Sequence, residues 1–589
     1  MSTQPKLSYL PDFEGSKALY SRLRGLEIRV LTIWPNEDHS APLECSLRVV
    51  SLRKAPRYTA LSYYWGLVND QESVYIHGSD EAAPIHSCRV PVTQKLASAL
   101  RTLRVKATAK SVPLVMWTDA LCINQRDPEE RSVQIRIMKY VYAQSHRVQV
   151  WLDERNQLAE MGLAALEVLS DIRGTHALHA MGEVEVWSHN DLEQAWENGD
   201  LMKGVMTLLS LPYWRRGWVI QEAASHERVF LSLGKVTYRL TNWLSLLQTF
   251  DALATETLSR QKSMFDDLVA HYGTLLSFEL AARSLQNPHL SVSPVLEAQL
   301  IAILNNKGWQ TTDPRDAVFA LAGFLSMFED IEPNYHDSVE EVFSKATMAV
   351  LHRKHGWKNR GVLDCWIYPH ASPFLPSWAI DFATGASNHE SEGGVDIFYN
   401  HTIRFDASYG SKLEVRRSTP RTLSIAGFVF DEIHTISRCL TSMERAVGDM
   451  QALSAEWYRM VEVGLQGPER FSTLLRTLSM DTGPGDRPFI DSDGELDRPA
   501  DQLTSSESAA QKRLVSVIAD VLVNKRLFIT RQGRLGLSHN SADVGDRIAI
   551  FASGDMPFII RSVSAKTSTR ETHILIGACF CDGTFRLKI

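Results

Sequence analysis

The stretch WTDALCINQRDPEERSVQIRIMKYVYAQSHRVQVWLD, residues 117–153, reads as the end of one strand, a polar turn, a helix and a second strand. Asp127 is placed to cap the helix, Pro128 takes the first helical position where its missing N–H costs nothing, and Glu130 completes a capping-box-like pair. Ile135, Met138 and Tyr142 then recur at helical spacing and define one apolar face. A strand, helix, strand order of this length is the unit from which parallel sheets are built.

The same pattern extends outward from this unit. LEIRVLTIWP (26–35) alternates like a strand ended by Pro35, and YTALSYYWG (58–66), PLVMWTDA (113–120), RVQVWLD (147–153) and RVFLSLG (228–234) read as further strands separated by helical segments. The N-terminal part is therefore expected to be an α/β domain with a mainly parallel sheet. Residues 1–24 form a lead-in, 25–235 this domain, 236–395 a mainly helical region and 396–589 a β-rich C-terminal region. The helical region includes TDPRDAVFALAGF (312–324), where Asp313 and Pro314 repeat the cap-plus-proline device. A stretch rich in turn formers and acids near 480–510 is expected to be a mobile loop, and 155–205, with His176, His179 and His189, an insertion.

With 589 residues the chain is too long for one core. Its 44% apolar and 22% charged residues are those of an ordinary globular protein. The seven cysteines are scattered, odd in number and without a CxxC pair, which argues against a disulfide scaffold or zinc ribbon and for a reducing compartment, expected to be the cytoplasm. No apolar run approaches the roughly 20 residues that span a bilayer, and the net charge of -7 without a dense basic block argues against nucleic acid as a partner. No P-loop, GxGxxG, GxSxG, HExxH or kinase signature is present. The three histidines match no metal spacing, CFC (579–581) reads as strand filler, and Cys122 reads as a small core thiol.

What remains is a polar set. Tyr64, Trp65 and Gly66 follow one strand and Asp119, Asn124 and Gln125 follow another, so a parallel sheet would gather them along one rim, where ligands bind. The third member is WRRGWVIQEA (214–223), whose one acid, Glu222, ends an apolar run. On a continuous helix Arg215, Trp218 and Glu222 fall at i, i+3 and i+7, which leaves open whether Glu222 is an ion-pair partner of an arginine or the acid of an active site.

Three ordered blocks, YTALSYYWG, residues 117–154 and YWRRGWVIQEA (213–223), resemble those of fungal heterokaryon incompatibility (HET) domain proteins. TDPRDAVFALAGF, GDRIAIFASGDMPFIIRS (545–562) and HILIGACFCDG (573–583) are similar to regions that commonly follow that domain. Asp153 stands where this family commonly has glycine, and Thr118 where an aliphatic residue is usual. HET domains are in turn similar to Toll/interleukin-1 receptor (TIR) domains, which have a flavodoxin-like fold, and WVIQE resembles their Trp-Cys-x-x-Glu segment with Val219 in place of the cysteine. Some TIR domains cleave NAD+ between nicotinamide and ribose. The resemblance implies NAD+ as substrate rather than as a bound prosthetic group, with Glu222 the catalytic acid stabilising an oxocarbenium-like transition state. Tyr64, Trp65, Gly66, Asp119, Asn124, Gln125 and Trp218 would line the ligand site, with no metal. It further implies a role in self/non-self recognition and cell death, activity on self-association through the HET domain, and an incompatibility partner the sequence does not name. The competing reading is a non-enzymatic signalling module in which Glu222 is structural.

Overall fold

Thr59, Ala60, Leu61, Ser62 and Tyr63 are all buried, and they form β3 (Thr59–Tyr63), a strand covered on both faces. Such burial marks the centre of a parallel sheet. The computed structural model describes residues 19–66, 70–77, 88–109, 113–153, 156–163, 200–250 and 265–286. It further describes 311–352, 374–383, 407, 415–439, 450–465, 473–477, 525–563 and 571–582, with single positions omitted within these ranges. The segment holding His176, His179 and His189 and the loop expected near 480–510 lie outside the described residues. The chain divides into two compact units, residues up to 292 with 309–338, and 293–308 with 339–589.

The first unit is built on a nine-stranded sheet of order β5-β4-β2-β1-β6-β3-β7-β8-β9. Its strands are β1 (Glu27–Ile33), β2 (Leu43–Ser51), β3, β4 (Gln71–His77), β5 (Cys88–Thr93), β6 (Leu114–Trp117), β7 (Arg147–Asp153), β8 (Val229–Leu233) and β9 (Val236–Leu240). At its centre β3 runs parallel to both β6 and β7, and β7 parallel to β8. The four parallel strands thus lie in the spatial order second, first, third, fourth. In the flanks β1 pairs antiparallel with β2 and β6, β4 with β5 and β9 with β8, while β2 runs parallel to β4. The sheet is mixed but mostly parallel, as the strand and helix alternation predicts, with its antiparallel pairs where flanking strands turn back on their neighbours. β9 also carries the sheet past residue 235.

The helices are α1 (Gln94–Thr108), the single turn α2 (Asp119–Cys122), α3 (Pro128–Ala143), α4 (Asp200–Leu209), α5 (Val219–Ala224), α6 (Phe265–Gln286) and α7 (Asp316–Ala322). α3 starts as its sequence requires: Asp127 accepts from the backbone N–H of Glu129 at 3.0 Å and of Glu130 at 3.1 Å, with Pro128 in the first turn. Glu130 does not close a capping box, because the Asp127 N–H donates to the Asn124 carbonyl instead. The Glu130 carboxylate accepts from Asn124 N at 2.7 Å and grips the buried Arg29 guanidinium at 2.6 and 3.0 Å, tying the turn after β6 to β1.

Two expected helix starts differ. WRRGWVIQEA is not one helix: Pro212–Arg215 is a 3₁₀ turn and α5 begins only at Val219. Arg215 is exposed on that turn, so no single stripe joins it to Glu222. Likewise Asp313 does not cap α7 through its side chain. Instead it chelates Arg315, which donates from Nε at 2.8 Å and Nη2 at 2.7 Å.

The second unit contains α8 (Val339–His352), α9 (Met450–Gly464), a hairpin of β10 (Val415–Thr419) with β11 (Thr422–Ile425), and a closed barrel of order β12-β13-β14-β17-β16-β15. The barrel strands are β12 (Gly427–Ile436), β13 (Lys525–Thr530), β14 (Leu535–His539), β15 (Arg547–Phe551), β16 (Phe558–Val563) and β17 (Thr572–Cys581). Ile433, Phe528, Ile548, Ile559, Ile576, Cys579 and Cys581 fill its core, so CFC is indeed strand packing. Closure leaves no edge strand in the barrel. Gly536 pairs with Phe528 across β14 and β13, and a Cβ there would meet the Phe528 ring and sit 2.6 Å from the Phe580 carbonyl oxygen. Gly536→Ala should therefore cost the barrel about 1–3 kcal/mol by overpacking. Calorimetry should show one lowered transition, and an unchanged profile would mean that the Phe528 ring has room to move.

Candidate active site

β3 and β6 end side by side, and the residues beyond their carboxyl ends meet the short helix α5. Six of the residues expected at a ligand site, Tyr64, Trp65, Gly66, Asp119, Gln125 and Trp218, line one cleft of about 220 Å³. Gly66 has φ +77°, a left-handed turn that glycine alone adopts without strain, and it lets the chain leave β3 beside Trp65. Asn124 is not among the lining residues. Its side chain accepts from Arg126 N at 3.3 Å and its backbone N–H donates to Glu130, so it shapes the turn.

Glu222 is also absent from the lining. It is completely buried, one layer behind the cleft wall. Ser62 donates to Glu222 Oε2 at 2.5 Å, and the Tyr213 hydroxyl lies 2.9 Å from Ser62 Oγ, so a short hydroxyl chain ends on the carboxylate. The Tyr142 hydroxyl, which donates to the Leu61 carbonyl at 3.0 Å, also approaches it.

The ion-pair partner is Arg216. Its Nη1 lies 3.2 Å from Glu222 Oε1 and donates to the Tyr63 carbonyl at 2.8 Å, while Nη2 donates to Asp119 Oδ2 at 2.6 Å. Trp65 Nε1 donates to that same Asp119 oxygen at 3.0 Å, and the guanidinium lies over the Trp65 ring, 5.6 Å from its centroid. One cation thus serves two buried carboxylates. Burial pushes the Glu222 carboxyl up to about 7, Arg216 opposes the shift and Asp119 adds to it. Burial thus favours the neutral carboxyl and Arg216 the ionised one.

The far wall of the cleft comes from a stretch that the sequence pattern assigns to another region. Arg131, Ile135 and Met138 of α3 face Thr311, Thr312, Asp313, Asp316 and Tyr335. The Tyr335 hydroxyl donates to Asp316 Oδ1 at 2.5 Å, and the Trp218 side chain also hydrogen-bonds Asp316. Burial, with Asp313 adding to it, raises the Asp316 carboxyl to about 6. Arg131, Asp313, Asp316 and Tyr335 were not anticipated at the site, and Arg216 only as one of two arginines, with Arg215, that could pair with Glu222; a spare Asp following the Pro-Arg of DPRD was the one signal available for the rest. Other candidates fall away: burial pushes the Cys122 thiol up to about 12, which leaves it inert at neutral pH. Asp153, in place of the family's glycine, pairs with Lys95.

The chain thus combines an α/β domain, whose parallel strands present a polar cleft at their carboxyl ends, with a closed β-barrel module. Residues 58–222 match the family model for heterokaryon incompatibility protein (HET), and 493–588 that for the Het-6 beta-barrel domain. The two matches together support a fungal heterokaryon incompatibility protein. It is 22% identical to heterokaryon incompatibility protein 6, OR allele, of Neurospora crassa, over 94% of this chain and 93% of that one. No solved structure matches the chain. The barrel as observed begins at β12, ahead of the matched range. Among the described residues no helix is long and apolar enough to cross a membrane, and no cluster of His, Cys, Asp and Glu could hold a metal.

Proposed function

We propose that the N-terminal domain is a TIR-like NAD+ glycohydrolase that acts in self/non-self recognition and cell death once protomers assemble. The observation that carries this reading is Glu222, the acid of the third sequence block, which sits directly behind a cleft at the strand ends with one guanidinium between. The second, first, third, fourth order of the parallel strands supports the TIR-like assignment, since doubly wound sheets of that order bind ligands outside these strand ends. In this arrangement Arg216 occupies the space through which Glu222 would reach a ribose. Assembly or ligand entry must turn Arg216 toward Asp119 alone, freeing the carboxylate to stabilise positive charge on the ribose as nicotinamide leaves.

The test is nicotinamide release by the purified full chain, dilute and under forced oligomerisation, between pH 5 and 9. Release is expected only on assembly. It should rise with pH through about 7 and then level off, because the ionised carboxylate is the active form and burial has raised its pKa to about 7. The complete burial of Glu222 against Arg216 favours a second reading, a non-enzymatic interaction module. Absence of cleavage in every assembled state would select it.

A further inference from the structure

Five charged side chains line the cleft: Asp119, Arg131, Arg216, Asp313 and Asp316. Four already have partners in the protein. Asp119 and Arg216 hold each other, Arg315 chelates Asp313, and Tyr335 and Trp218 donate to Asp316. Arg131 differs from them. Its guanidinium makes no hydrogen bond or ion pair among the described residues, and its Nε is shut away from solvent without an acceptor. It lies over the Tyr335 ring, with its Cζ 4.0 Å from the centroid, in the first turn of α3.

A half-buried arginine without an acceptor is costly unless something else supplies one. The Tyr335 ring orients the guanidinium plane and leaves its N–H edges for a planar or tetrahedral oxyanion, the group that arginine recognises best. Among the acids around it, Asp119 is offset by Arg216 and Asp313 by Arg315, while Asp316 is held by the neutral donors Tyr335 and Trp218 and shares the field of Arg131. Thr311 and Thr312 bring hydroxyl-bearing side chains to the same cleft, and the indole of Trp65 provides an aromatic surface. At about 220 Å³ the cleft is smaller than the roughly 300–1,000 Å³ that encloses a whole drug-sized ligand. It suits one sugar-phosphate portion of a larger molecule.

We infer that Arg131 is the anion anchor of this cleft and that the ligand is a nucleotide held through its phosphate. This rests on the NAD+ reading for the class of ligand and adds the residue that recognises its charge. Arg131 is remote in sequence from Glu222 and acts in binding, so it is tested without turnover.

Binding of ADP-ribose, inorganic pyrophosphate and adenosine to the full chain should be measured by calorimetry at low salt. ADP-ribose should bind at least tenfold more tightly than adenosine. Arg131→Gln should weaken ADP-ribose about ten- to hundredfold, the range for a lost charge-assisted hydrogen bond, and abolish the salt dependence. Arg131→Lys, which keeps the charge, should retain an intermediate affinity and guards against a misfolded glutamine variant. The inference is overturned if Arg131→Gln, with a wild-type melting profile, binds ADP-ribose as wild type does, or if neither phosphate probe binds. Pyrophosphate binding as tightly as ADP-ribose would overturn the nucleotide assignment. Arg131-dependent binding without any NAD+ cleavage would remove the glycohydrolase reading and leave this one standing.

Discussion

Replacing Glu222 by Gln should lower nicotinamide release from the assembled protein at least hundredfold, the loss expected when a preorganised group facing the developing charge is neutralised. The fold should survive the change. Ser62 still donates to the amide oxygen, and Arg216 keeps Asp119 and the Tyr63 carbonyl. Stability should respond to pH in a defined direction. The folded pKa of Glu222 is raised above its unfolded value, so the neutral form is favoured on folding. The resulting stability is fully present below about pH 4.5 and is lost as pH rises through about 7, where the native carboxyl ionises. The loss amounts to at most about 3 kcal/mol by linkage. Glu222→Gln should remove this fall, leaving a variant at least as stable as wild type at pH 8. Full cleavage by a well-folded Glu222→Gln would dismiss the catalytic role, and an unchanged pH dependence of unfolding would dismiss the buried proton.

Arg216→Ala should destabilise the N-terminal unit by about 3–5 kcal/mol, since removing one member of a buried ion pair strands its partners. Here two carboxylates are stranded, Asp119 at 7% exposure and Glu222 at 0%. The cost should be smaller at pH 5 than at pH 8, because a protonated Glu222 no longer needs the cation. Adding Glu222→Gln to Arg216→Ala should recover part of the loss for the same reason. Arg216→Lys should not restore wild-type stability, because one ammonium cannot span Asp119, Glu222 and the Tyr63 carbonyl as the planar fork does. Denaturant unfolding of the four proteins at both pH values decides this. A loss below about 1 kcal/mol for Arg216→Ala would show that water or a neighbouring donor replaces the guanidinium.

Much of the molecule was legible in local pattern. The strands β1, β3, β6, β7 and β8 and the start of α3 follow from apolar runs, caps and prolines, which act within a few residues. Ordered motif blocks pointed to the HET family, and the idea of a rim of polar residues followed from parallel pairing alone. β2, β4, β5 and β9 escaped notice because they are flanking strands whose polar residues interrupt any continuous apolar run. The pairing of Glu222 could not be settled by helix arithmetic, because the 3₁₀ turn at Pro212–Arg215 breaks the assumed periodicity and turns Arg216, not Arg215, inward. Strand order and turn placement in the chain already assigned Tyr64, Trp65, Gly66, Asp119 and Gln125 to the strand ends. That Glu222 lies behind Arg216 rather than in the cleft, and that Asp316, Tyr335 and Arg131 complete the opposite wall, emerges from long-range packing. Contacts between residues a hundred or more positions apart depend on how helices seat on the sheet, and no local periodicity encodes that.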